Sequence, residues 1–154
     1  MVGVRLDKGE EIKGYKGLKI YQLAHELAVR VHKMTLELPK FEIYEEGSQI
    51  RRSSKSVSSN IVEGYSLRKY KNEFLHYLYR SYAESLETVE HLEYLYETNS
   101  LISKEIFDSL IPGYGELNKM LFAFIQSVEK SHEAPFFIKE DEDLYNIQTL
   151  KSEI

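Results

Sequence analysis

The chain has no cysteine, only three prolines in 154 residues, and no stretch approaching the ~20 apolar residues that span a bilayer. Each absence excludes something. Without cysteine there is neither a disulfide nor a thiolate metal site, which fits a reducing compartment. The first residues lack the apolar run and small-residue cleavage site of a secretory signal, so the expected location is cytoplasmic, away from any membrane. Also missing are a G-x-S-x-G elbow and a glycine-rich phosphate loop, and His25-Glu26 has no second histidine four residues on, the next being His32. These gaps argue against an enzyme, and no cofactor is expected.

What is present suffices for one folded domain. Apolar residues make up 42% and charged residues 29%, enough for a core and a soluble surface. Residues 1–17 are polar, glycine-punctuated and without period, and read as a flexible arm. From residue 18 the pattern changes. Ile20, Leu23, Ala24, Leu27, Ala28, Val31, Met34 and Leu38 recur at steps of mostly three and four, the spacing of one helical face. Pro39 ends that helix, predicted over residues 18–38.

A second helix is predicted over residues 44–63, with a thin stripe of Ile50, Ser54, Val57 and Ile61. Its many serines (Ser53, Ser54, Ser56, Ser58, Ser59) imply close approach of a neighbouring helix, and Gly64 is a candidate stop. The third helix, residues 68–97, has a seam of Phe74, Leu78, Tyr82, Ser85, Val89, Leu92 and Tyr96, widened by Leu75, Tyr79, Leu86 and Leu95. Such breadth predicts burial on more than one side, the second supplied by sister subunits. The fourth helix starts at the N-cap Ser103 with Glu105 in its first turn, and Pro112-Gly113 predicts a kink or break. Short connections make successive helices antiparallel, so the expected fold is all-α, an up-down-up-down four-helix bundle over residues 18–131. Residues 132–154 read as an acidic tail, in which Phe136-Phe137-Ile138 is a candidate docking segment.

The net charge of −5 is unevenly spread. Arg51, Arg52, Lys55, Arg68, Lys69, Lys71 and Arg80 face only Glu63 and Glu73 within residues 51–80, whereas residues 81–128 carry eight acids against Lys104 and Lys119. The basic residues Arg51, Arg52, Lys55, Arg68, Lys69 and Lys71, interleaved with Tyr65 and Tyr70, suit phosphate contacts and base stacking on RNA or single-stranded DNA. The competing reading is an ordinary solvated face. Gln49, Arg52, Ser56, Asn60 and Glu63 share a second face of the same helix, for which a polar network between helices or subunits is the economical reading. Two Glu-x-x-His pairs, Glu73 with His76 and Glu129 with His132, match the ligand spacing of di-iron bundles, but Glu73 and His76 lie off the apolar seam. No metal is expected there.

The segments Gln49-Ile50-Arg51-Arg52-Ser53, Ser59-Asn60-Ile61-Val62-Glu63-Gly64 and Glu73-Phe74 leading to Ser85-Leu86-Glu87 form a pattern with Tyr21-Gln22-Leu23-Ala24 and Leu38-Pro39. Over about residues 18–131 it resembles the 23S rRNA intervening-sequence family of four-helix bundle proteins. The sequence departs from that family's pattern at Val62 and at Glu46-Gly47. The resemblance implies a homo-oligomer, a pentameric ring, with no catalytic activity. Some members of the family are encoded within insertions of 23S rRNA genes. Related proteins serve retroelements, where a basic ring binds nucleic acid and a reverse transcriptase. The implied partners are therefore further copies of the chain, RNA or DNA, and a reverse transcriptase or other protein. The alternative is an interaction module that touches no nucleic acid.

Overall fold

Burial of the apolar stripes organises the molecule into a ring of long helices. The computed structural model describes residues 14–131. Within them a 3-10 turn, Tyr15–Gly17, precedes α1 (Lys19–Thr35), α2 (Lys40–Tyr44), α3 (Glu46–Ser66), α4 (Lys71–Glu97) and α5 (Lys104–Lys130). No strand occurs among the described residues. The acidic tail and its Phe136-Phe137-Ile138 segment lie outside them.

The long helices pack α1 on α3, α3 on α4, α4 on α5, and α5 back on α1. Cross-links fix their directions. Arg51 at the start of α3 donates to Thr35 at the end of α1. Thr88 meets Ser53 while Ser81 meets Val57, so α3 and α4 run oppositely. Lys71, opening α4, donates to the carbonyls of Glu129 and Ser131, which close α5. Arg30 reaches Ser109 across α1 and α5. The result is the expected antiparallel bundle.

The core contains the stripes read from the sequence. Ile20, Ala24, Leu27 and Val31 from α1, Ile50, Val57 and Ile61 from α3, and Leu117, Leu121, Phe124 and Val128 from α5 are buried. Phe74 and Phe124 meet edge to face at 5.9 Å between ring centres. Phe74, Leu78, Ser85 and Leu92 of the predicted α4 seam are buried, but its other three positions shift by one residue. Ser81, Thr88 and Leu95 are buried where Tyr82, Val89 and Tyr96 were expected, and those three are half-buried. The reason is the close approach of α3, which selects small side chains over large apolar ones. Ser53, which accepts from Thr88, is buried in the same contact, the approach that the serines of α3 predicted.

Gly64 is not a helix stop. It lies inside α3, where a Cβ would come 3.0 Å from Tyr77 Cβ and 3.3 Å from the Phe74 ring. Glycine there eases the close approach of α4. Pro112 does not split the last helix, which runs as one element from Lys104 to Lys130. Proline deprives the Asp108 carbonyl of its usual donor, but both residues are exposed and water can substitute. Ser103 caps α5 as expected, its Oγ accepting from the Ile106 N–H.

The segment between α1 and α3 is more ordered than a short loop. Pro39 disfavours helical geometry at Leu38, and α1 closes at Thr35 in a tightened turn, with Leu38 N–H on the Thr35 carbonyl. Pro39 then opens α2, which the sequence reading did not separate from the connection. Glu42 is buried and caps the next helix: its Oε1 accepts from Glu46 N–H at 3.1 Å, and its Oε2 from Ser100 at 2.7 Å. Gly47 fits against this junction, where a Cβ would stand 2.7 Å from the Glu42 carbonyl. At the other end, Tyr15 packs edge-on against Tyr21 and Tyr65. The last residues assigned to the arm thus cover the bundle.

Gly47→Ala should lower stability by about 1–3 kcal/mol, because a methyl group has to displace backbone. Gly115→Ala meets open space and should be neutral or stabilising by up to about 1 kcal/mol. Urea unfolding midpoints at unchanged slope measure both.

Candidate functional site

The six basic residues singled out in the sequence do not form one cluster in the chain. Arg51, Arg52 and Lys55 lie in the first half of α3, and Arg68, Lys69 and Lys71 at the far end of the bundle. From Lys55 to Arg68 is thirteen residues, about 20 Å at helical rise.

Most of these cations hold the fold. Arg51 spans two elements, with Nη1 donating to Thr35 Oγ1 at 3.0 Å and Nη2 to the Ile43 carbonyl at 2.7 Å. It closes the α1–α2 connection onto α3. Arg52 bridges to α4, its Nη2 2.5 Å from Glu87 Oε1 and its Nη1 3.6 Å from Glu84 Oε1. Arg68 covers the Tyr65 ring at 4.0 Å and donates to the Tyr65 carbonyl. Lys69 lies 5.7 Å from the centre of the Tyr70 ring. Lys71 satisfies carbonyls at the C-terminus of α5, where the helix dipole favours a cation. Lys55 is exposed on the α1 side of α3.

The polar face of α3 divides in the same way. Arg52 belongs to an inter-helix network, but Gln49 and Glu63 are exposed and Asn60 donates to the Ser56 carbonyl of its own helix. The network continues instead through residues that sequence reading did not single out. His91 lies between two carboxylates, with Nδ1 2.6 Å from Glu46 Oε2 and Nε2 3.4 Å from Glu87 Oε1. Glu84, Glu87 and His91 follow one another at three and four residues along α4, a polar line facing Arg52 and Glu46. That spacing was visible in the sequence, but nothing in it said that α3 would lie opposite.

Glu73 and His76 are exposed on α4. Glu129 accepts a hydrogen bond from Tyr79, which holds the phenol above its ordinary pKa, and His132 lies outside the described residues. Among the described residues, no three histidine or acidic side chains converge to hold a metal. No described helix is long and apolar enough to cross a membrane.

Two surfaces leave large apolar side chains exposed. One is a stripe on α4 flanking the buried seam: Leu75, Tyr79, Tyr82, Leu86 and Val89 succeed at steps of four and three. Tyr79 is 46% and Leu86 47% exposed, and Phe122 of α5, beside Tyr82, is 50% exposed. The other is an apolar group at the α2 end of the bundle, Leu36, Phe41, Tyr44 and Ile102, all exposed.

Fold and surface together define a small helical-bundle protein with large apolar side chains exposed on two of its surfaces. It belongs to the 23S rRNA-intervening sequence protein family, whose model matches residues 16–123. A solved structure of a protein of unknown function from the S23 ribosomal protein family, from Bacteroides thetaiotaomicron VPI-5482, is similar at 28% identity and a TM-score of 0.60. The likeness covers 70% of this chain and 95% of that one. None of the curated proteins matches the chain. Neither the family nor the similar structure indicates an enzymatic activity.

Arg51→Ala should cost about 1–3 kcal/mol of stability, since it strands the Thr35 hydroxyl and the Ile43 carbonyl. Lys55→Ala should stay within about 0.5 kcal/mol of the parent. Thermal unfolding separates the bracing cation from the exposed one.

Proposed function

We propose that the chain is a non-catalytic scaffold that assembles with copies of itself and binds nucleic acid along α3. The α4 stripe with Phe122 carries the assembly half. Its Leu86 stands outside a core already closed by the adjacent seam, and the Tyr79 ring beside it is half exposed although its hydroxyl donates to Glu129. A second copy laid against them would remove large apolar side chains from water, at roughly 25 cal/mol per Å² of apolar surface covered. The ring of five subunits expected from the family resemblance is one closed way to do this, with every subunit presenting the same patch.

The family name, which refers to 23S rRNA, supports the nucleic-acid half. So do the cations at both ends of α3: Arg52 and Lys55 near one, Arg68, Lys69 and Lys71 with their tyrosines near the other. A strand following α3 would span the ~20 Å between the two groups. In a ring these groups would repeat about an axis and their fields would add. One observation favours the rival interaction module: Arg51, Arg52, Arg68 and Lys71 are engaged within the chain, while Phe41, Tyr44 and Ile102 are exposed for a protein partner.

Light scattering after gel filtration should show a multiple of the 18.1 kDa chain mass, and Leu86→Glu should reduce it to a single chain without loss of helicity. A parent protein of single-chain mass would end the assembly reading. Gel shifts with structured RNA and single-stranded DNA should show binding that weakens with salt and with Lys55→Glu or Arg52→Glu. If neither nucleic acid shifts at low salt, the interaction module takes over.

A further inference from the structure

A groove of about 410 Å³ lies between α1 and α3, within the ~300–1,000 Å³ typical of small-ligand sites. Its polar lining comes from His25, His32 and Lys33 on α1 and from Lys55 and Ser58 on α3, and no lining residue is acidic. Ala28 and Val29 supply an apolar floor. The Nδ1 atom of His32 is buried and has no hydrogen-bond partner. That atom is closed off from the groove, so what the groove itself offers a ligand is the two ammonium groups at its rim, with no carboxylate in the lining to neutralise them.

The electrostatics agree with the geometry. Burial, then the Lys55 ammonium and the Arg51 guanidinium, hold His32 below the ordinary histidine value. The groups facing it are thus all basic, His25 and Lys33 from its own helix and Lys55 and Arg51 from α3. An anion would relieve that repulsion. The apolar floor adds a requirement, since a bare inorganic anion would leave Val29 uncovered.

We infer that this groove binds a nucleotide phosphate, with Lys33 and Lys55 on the phosphate oxygens, the two imidazoles beside them, and the sugar or base over Ala28 and Val29. The inference rests on the nucleic-acid reading above for the class of ligand, not for the place. A phosphate offers several strong acceptors at once and so suits convergent donors better than a single peptide carboxylate does. Because the bound anion favours the imidazolium, binding takes up a proton. Affinity therefore rises as pH falls through the histidine range.

The test is calorimetry and histidine-ring NMR on the full chain at about pH 5.5 and about pH 7.5, with adenosine 5′-monophosphate, a short single-stranded RNA and an acidic peptide as probes. The mononucleotide and the RNA should both shift the His25 and His32 ring signals and bind more tightly at the lower pH. A Lys33→Ala, Lys55→Ala double variant, altering only exposed side chains, should lose about tenfold or more in affinity for both. His32→Gln should flatten the pH dependence while binding at the higher pH persists. RNA binding that ignores the double variant would overturn the groove and leave the nucleic-acid scaffold standing. Mononucleotide binding without RNA binding would do the reverse. Unmoved ring signals with every probe, or an acidic peptide binding as tightly as the mononucleotide, would end the inference.

Discussion

The close approach of α3 to α4 governs more of this molecule than any other contact. Gly64 leaves only a tight space against Tyr77 and Phe74, and Ser53, Ser81 and Thr88 keep the rest of the interface narrow. Hydroxyls buried this way must find partners. They do so in pairs across the two helices: Thr88 with Ser53 and Ser81 with the Val57 carbonyl. Each pair works at one register only, so the interface that permits close packing also fixes the sliding position of α4. The rotation of α4 follows from the same choice. With its small residues turned inward, Tyr79 and Leu86 have nowhere to go but outward. The surface stripe is a by-product of core geometry, which is why it runs parallel to the seam, one residue out of step.

At the α2 end a second constraint operates through the backbone. Pro39 stops one helix and opens the next, Glu42 caps α3 from within the junction, and Gly47 lets the two segments meet. Arg51 then locks the arrangement to Thr35 and Ile43. These residues explain why an arginine from a basic run need not be free for a ligand: its donors are consumed where a chain reversal leaves acceptors unsatisfied. Loop Ser100, bound to Glu42, carries the same lock across to the α4–α5 connection. Exposed Phe41, Tyr44 and Ile102 are thereby held on a braced surface.

Most of the fold was legible because helical periodicity is a local property. The faces of α1, α3 and α5 could be read directly, since large apolar residues mark them. On α4 two apolar stripes compete, and which of them faces inward depends on the size of what lies opposite. Tyr82 and Val89 therefore seemed better core residues than Ser81 and Thr88. Gly64 was ambiguous for the same reason, a glycine at a helix end and a glycine at a close contact being identical in one dimension. The candidate site was less legible still. The basic residues could be listed, but their partners, Thr35, Ile43, Glu84, Glu87 and Glu129, come from other helices. His32 drew notice only as a failed protease motif, because its relation to Lys55 exists only after α1 and α3 pack.

The overall negative charge and the cationic groove have one cause. Within residues 81–128 the acids are carried by α4 and α5, and Glu84 and Glu87 of α4 are drawn to Arg52 of α3. α3 thus separates charge across its own width. One flank is matched pair by pair with α4, while the other meets α1, whose neighbouring turns offer His25, His32 and Lys33. A long-range field set by net charge would keep polyanions off the molecule, yet screening confines that field to roughly 8–10 Å in physiological salt. Within that distance a bound group senses the local side chains and not the sum. An acidic chain can therefore present a phosphate site, and the acids around it would orient the approach by closing off the other faces.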